Sequence, residues 1–233
     1  MADRKQAGER RTDALSRQRI VEAALEILDA HGESALTFRA LAAHLQTGPG
    51  AIYHYVSNKS ELLQAATEGL IRHVLEQAGR PGASPREAVR EVTLAVFDAL
   101  SEHPWVGGQL ANEPWQSALL QIFEAVGAQL PALGVPEPEQ FDAASTIVNY
   151  VLGVAGQYAA AARLAPTVSD RSSFLVEVAE RWTDQHDVSE HPFIQRFAAR
   201  LRDHDDREQF AAGIEILLRG LPREPQPQDS ARG

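Results

Sequence analysis

The chain has no cysteine among its 233 residues, which excludes both a disulfide framework and a thiolate zinc site. No run of ~18 consecutive apolar residues, as a membrane helix needs, occurs in the sequence. The N-terminal stretch MADRKQAGERR is positively charged but has no apolar segment behind it. No signal peptide is expected, and the expected location is the cytoplasm. The chain contains no G-x-S-x-G, no phosphate-cradling glycine loop and no helical H-E-x-x-H, so the commonest hydrolase, nucleotide and metalloprotease signatures are missing. Neither a strand pattern nor an internal repeat emerges. Hydrophobic residues make up 44% and charged residues 23%, the balance of an ordinary globular protein large enough for a substantial core.

What is present concentrates between Thr37 and Lys59. Phe38, Leu41, Ala42 and Leu45 recur at helical spacing, so residues 38–45 form a helix with one apolar stripe. Thr37 stands where an N-cap belongs. Gln46 and Thr47 break the pattern, and Gly48-Pro49 restarts a helix because proline loses no hydrogen bond at the first helical position. This second helix, roughly 49–56, is short and crowded with Ile52, Tyr53, His54 and Tyr55. Two crossed helices joined by a tight turn are a common way of placing a helix in the DNA major groove.

The residues go further than the spacing. Leu36-Thr37-x-Arg39-x-Leu41-Ala42, Pro49-Gly50-Ala51-Ile52-Tyr53-x-Tyr55-Val56 and Asn58-Lys59-x-Glu61-Leu62-Leu63 together resemble the DNA-binding module of TetR-family transcriptional regulators. The resemblance implies that Thr37, Tyr53 and Lys59 contact phosphates. It places Arg39, Pro49, Gly50, Ala51, His54 and Tyr55 near base edges or the groove floor. The chemistry agrees, since arginine grips guanine, small residues meet thymine methyls and hydroxyls bind phosphate. Ile52 and Val56 are expected to face the core. From the residues alone two alternatives stay open: Tyr53 and Tyr55 packing beneath the helix, and Arg39 as a solvated surface residue. The family usually has glycine in the turn, so Gln46 is expected to hold a left-handed conformation.

Charge is divided in the same sense. Residues 1–72 hold nine of the 22 Lys/Arg and nine of the 32 Asp/Glu. The remaining 13 basic and 23 acidic residues supply the whole net charge of −10. Residues 1–20 are net +3, with six basic residues against Asp3, Glu9 and Asp13. An acidic body, a neutral head and a basic arm suit a protein of which one end meets phosphate.

In chain order, a disordered arm over 1–15 is expected to precede a first helix from Ser16 to His31, closed by Gly32. A fourth helix should begin at an Asn58–Glu61 capping box and run to about Ala78. Residues 79–83 mark a boundary, and Ser84-Pro85-x-Glu87 opens a helix reaching about Glu102. Helices are expected around 104–112, from Pro114 to about Leu130, over Glu137–Leu164 (roughly 42 Å at helical rise), over Ser172–Asp184, over Pro192–His204 and over Arg207–Arg219. A disordered tail follows from 222. The expected fold class is all-α. Residues 16–78 form the helix-turn-helix DNA-binding domain and 84–221 a helical ligand-binding and dimerisation domain.

By resemblance, the long helix and the last helix pair with their mates in a homodimer, which reads a palindromic double-stranded operator. The family most often represses, and a small-molecule effector in the body commonly releases the DNA. Phe97, His103, Trp105, Trp115, Phe123, Asn149, Tyr150 and Gln157, with Asn112 and Tyr158 nearby, gather apolar and polar groups of the kind a small-molecule site needs. Ordinary core is the competing reading for each. No charge falls clearly on an apolar face of the helices over 85–164, so a hydrophobic or neutral ligand is expected. His186, Asp187 and His191 are metal-ligand types, but the two histidines are five apart in an acidic turn, which reads as a solvated loop. No metal, cofactor, membrane contact or catalysis is expected. A ligand-independent regulator remains open, as does an all-α small-molecule-binding protein or enzyme whose N-terminus merely resembles the reader.

Overall fold

The computed structural model describes residues 15–112, 117–164, 175–178, 180–181, 192–193 and 205–222. The arm before Leu15, Trp115, most of 172–184 and 192–204, His186, Asp187, His191 and the tail from 223 lie outside them. So do the side chains of Asn112 and Tyr158. Among the described residues the structure is helical throughout, without a strand. The chain divides into two compact units, one ending at Leu70 and the other beginning at Ile71.

The first unit holds α1 (Arg17–His31), a 3-10 turn (Glu33–Ala35), α2 (Phe38–His44), α3 (Pro49–Tyr53) and the start of α4 (Lys59–Ala78). Helices α1 and α2 begin at side-chain caps, whereas α3 starts after Gly48 with Pro49 in its first turn. Ser16 accepts from the Arg19 amide at 3.3 Å, and Thr37 Oγ1 accepts from the Ala40 amide at 3.1 Å. Gly32, at φ 75°, closes α1 by donating its N–H to the Leu28 carbonyl at 2.9 Å. Ile20, Ala24, Leu28, Leu41, Ile52 and Leu62 are among the residues that form the core of this unit.

The turn between α2 and α3 is a Schellman-type closure. Thr47 donates to the Ala42 carbonyl at 2.9 Å and Gln46 to the Ala43 carbonyl at 3.2 Å. Gln46 takes the left-handed φ of 53° that the sequence predicts, alone among described non-glycine residues. Helix α3 is shorter than expected, ending at Tyr53. The Val56 amide still bonds the Ile52 carbonyl at 3.1 Å, but the chain turns there to bury Val56.

The capping of α4 also differs by one residue from the expected box. Asn58 Oδ1 accepts from the Glu61 amide at 2.8 Å, while the Glu61 carboxylate reaches past Asn58 to the Ser57 amide, also at 2.8 Å. The amide and hydroxyl of Ser57, joined by Arg17, hold the Glu61 carboxyl below its ordinary pKa.

The second unit contains α5 (Pro85–Glu102), α6 (Pro104–Asn112), α7 (Ser117–Gly127), a 3-10 turn (Pro131–Leu133), α8 (Glu137–Leu164) and α9 (Asp206–Gly220). The predicted box at α5 is complete: Ser84 accepts from the Glu87 amide, and the Glu87 carboxylate accepts from Ser84. Helix α5 is central, packing on α6, α7, α8 and α9. Its buried stripe of Val89, Val92, Val96, Phe97 and Leu100 follows from apolar residues at three- and four-residue spacing. Helix α8 has the predicted bounds and packs on α6, α7, α5 and α9. Helix α9 buries Phe210, Ile214 and Leu218. Ion pairs clasp it to α5: Arg207 grips Asp98 through two bonds of 2.7 and 2.9 Å, and Arg86 meets Glu215 at 2.7 Å. Each exposed pair contributes at most about 1 kcal/mol.

Candidate nucleic-acid interface

The reader is built from the exposed start of α2 and the exposed side of α3. Ile52 and Val56 are buried beneath it at 0% and 1% exposure, so the side chains between them face outward. Thr37, Arg39, Pro49, Gly50 and His54 are exposed, Ala51 is half-buried, and Tyr53 and Tyr55 retain 54% and 40% exposure. A Cβ placed on Gly50 would meet nothing within 4 Å, so the α3 backbone is open to close approach there.

Each predicted residue is held differently. The Thr37 oxygen caps α2, which leaves the hydroxyl hydrogen to donate outward. Arg39 makes no ion pair among the described residues, whereas Arg17 faces Glu61 at 3.4 Å. Lys59 does not point freely from the first turn of α4. Its ammonium donates to the Glu33 carbonyl at 2.6 Å, with the Glu33 carboxylate 3.9 Å away. Tyr55 donates its hydroxyl proton to the Leu15 carbonyl at 2.8 Å, fixing the chain where it enters α1. Tyr53 is held by its ring instead. It stacks on Phe38 with centroids 4.3 Å apart and planes 1° from parallel. Phe38 belongs to the apolar stripe of α2, and its contact with Tyr53 depends on how α2 and α3 cross, which no local spacing encodes.

The residues singled out in the body are spread over several environments. Phe97, buried, stacks on Phe210 at 4.5 Å, and Tyr150 stacks on Phe210 at 5.3 Å. The Tyr150 hydroxyl lies 3.4 Å from the Phe210 carbonyl, and burial pushes its pKa up. A Cβ at Gly213 would fall 2.1 Å from that phenol oxygen, so the glycine is what admits the ring. Phe123 packs on a cluster that includes Leu130, Val135, Ala143 and Ala144. His103 and Trp105 are half-buried, while Asn149 and Gln157 are exposed on α8. Gln109 on α6, which carries no signal in the sequence pattern, is a buried polar side chain at 8% exposure. A separate cleft of about 640 Å³ in the first unit is lined by Arg19, Glu22, Glu26, His44 and Gln46 among others; its charged wall does not suit an apolar ligand.

A short helix carried on a buried core, with arginine, tyrosine and small residues facing outward, defines a helix-turn-helix DNA-binding protein. The family described as bacterial regulatory proteins of the tetR family matches residues 20–66, and the tetracyclin repressor-like C-terminal domain matches residues 78–224. The chain belongs to the TetR family of transcriptional regulators and is not an enzyme. The solved transcriptional regulator SCO7222, a TetR from Streptomyces coelicolor, is 46% identical with a TM-score of 0.78 over 89% of this chain and 97% of its own. The transcriptional repressor DrrR1 of Streptomyces coeruleorubidus is 28% identical over 89% of this chain and 77% of its own length. BioQ, solved with its double-stranded DNA operator, is 29% identical with a TM-score of 0.55 over 71% and 96%.

Proposed function

We propose that this regulator is a cytoplasmic repressor that binds a palindromic operator as a homodimer and leaves it when a small hydrophobic or neutral molecule enters the body. The observation that carries the DNA-binding part is the uncommitted side of α2 and α3. There Arg39, which makes no ion pair among the described residues, an open Gly50 and an exposed Tyr53 stand over a buried Ile52. In this reading Arg39 reads a base edge, Thr37 and Tyr53 hold phosphates, and Pro49, Ala51, His54 and Tyr55 line the groove contact. Lys59 reaches phosphate with the ammonium hydrogens that Glu33 leaves unused. The repressor role of DrrR1 and the operator complex of BioQ support it.

Dimerisation is assigned to α8 and α9. Phe141 on α8 and Ile216 on α9 are 75% and 61% exposed, a cost that a partner helix would remove. The ligand is assigned to the region of Phe97, His103, Trp105, Trp115, Phe123, Asn149, Tyr150 and Gln157. Its binding would favour a reader spacing that no longer fits two half-sites, with a coupling of about 1–3 kcal/mol. The close stacking around Phe210 favours a second reading for the body, a regulator that only dimerises and takes no ligand.

The test is footprinting on the DNA flanking the protein's own gene, with a salt series. Protection of a palindrome, weakening as salt rises, is the expected result. Arg39→Ala should lose about 1–3 kcal/mol of discrimination at one base position per half-site while the melting temperature holds. Equal binding to random DNA would sink the operator reading. A body whose melting temperature ignores every member of an apolar ligand library would favour the ligand-independent regulator.

A further inference from the structure

Tyr53 is a long polar side chain on the exposed side of a five-residue helix. Left alone, its ring would sample several rotamers, and fixing it against a phosphate would cost entropy. It is not left alone. Phe38, the first residue of α2, lies parallel to the Tyr53 ring at 4.3 Å. Phe38 itself is only half-buried, so it contributes less to the core than Leu41 or Ile52, which are fully buried. The Tyr53 hydroxyl makes no hydrogen bond among the described residues. The ring is thus constrained while the polar end stays open. Phe38 also directly follows Thr37, whose hydroxyl is anchored at the α2 cap. One aromatic contact therefore couples the two hydroxyl groups read as phosphate contacts, on two different helices.

We propose that Phe38 is a positioning residue for DNA binding, holding the Tyr53 ring so that its hydroxyl meets one operator phosphate without prior ordering. The proposal rests on the reading of Tyr53 as a phosphate contact. Its role is distinct from core filling, because a leucine would fill similar volume but offer no flat face to stack on.

The experiment uses the full chain and a duplex selected from a random-sequence pool. Affinity and phosphate-ethylation interference are measured for Tyr53→Phe, Phe38→Leu, the double variant and Phe38→Tyr. Tyr53→Phe should weaken binding roughly three- to tenfold, the loss of one hydrogen bond, and remove one phosphate per half-site from the interference pattern. Phe38→Leu should remove that same phosphate with a similar loss, yet cost less than twofold when Tyr53 is already Phe. Phe38→Tyr, which keeps the stack, should restore both. Should Phe38→Leu melt too early to assay, Phe38→Met takes its place in the same cycle.

Equal losses from Phe38→Leu in both backgrounds, or an unchanged interference pattern, would reduce Phe38 to a packing or groove-contact residue and overturn the proposal alone. An unchanged pattern for Tyr53→Phe would overturn the Tyr53 reading as well.

Discussion

The two units use aromatic side chains in opposite ways. In the reader, Phe38 meets the Tyr53 ring, and more than half of that tyrosine remains open to solvent. In the body, Phe210 is 1% exposed and stacks with both Phe97 and Tyr150. A ring in one-sided contact is held yet available, whereas a ring stacked on two neighbours has no face left for a ligand without repacking. Aromatic content therefore says little about function until the neighbours of each ring are known.

The sharpest way to break this contrast is Gly213→Ala. In an exposed helix interior, alanine for glycine normally adds about 1 kcal/mol of stability. Here the new methyl would sit 2.1 Å from the Tyr150 oxygen and 2.4 Å from its ring carbon. Tight packing should reverse the sign, giving a loss of about 1–3 kcal/mol, read as a drop in urea midpoint. Adding Tyr150→Leu should recover much of it. A stabilised single variant would mean that the ring swings aside easily and that the body is more open than its stacking implies.

A smaller effect belongs to the reader. Gln46→Gly should stabilise by about 1 kcal/mol, because glycine holds a left-handed φ without the Cβ penalty. A rise in melting temperature with unchanged operator affinity checks it.

The smallest contrast is in acid. Hydrogen bonds from Ser57 lower the Glu61 pKa in the reader, and those from Ser84 lower the Glu87 pKa in the body. A carboxyl depressed in the folded state stabilises at pH above its ordinary value of 4.5, and that contribution disappears as pH falls below it. Glu61→Gln should flatten the acid limb of the reader's melting curve and Glu87→Gln that of the body, each leaving the other unit unchanged.

Legibility in the sequence followed the range of the interaction. Ser84, Pro85 and Glu87 act within one turn, and α5 begins where they say. The left-handed Gln46 was legible through the family resemblance, because Gln46 stands where the family usually has a glycine in the turn. The stack of Phe38 on Tyr53 spans fifteen positions, and the notch at Gly213 receives a ring 63 positions away. Neither is encoded in local pattern, because each depends on how helices cross. The cap at Glu61 missed by one residue for a milder reason, since a glutamate can reach either of two neighbouring amides. The body aromatics stayed ambiguous because core and pocket draw on the same residue types at the same helical spacing.

The pairing of charges in the reader has a consequence for how the protein searches a genome. Lys59 and Arg17 lie against glutamates, leaving Arg39 as the reader cation with no carboxylate partner among the described residues, and the rest of the chain carries a large negative charge. Non-specific retention on DNA grows with the number of phosphates that cations neutralise. With few cations to spend, the described part of the reader should add little to retention on random sequence, which would fall mainly to the four basic residues before Leu15. The ratio of operator to random-sequence binding would then respond to neutralising those residues.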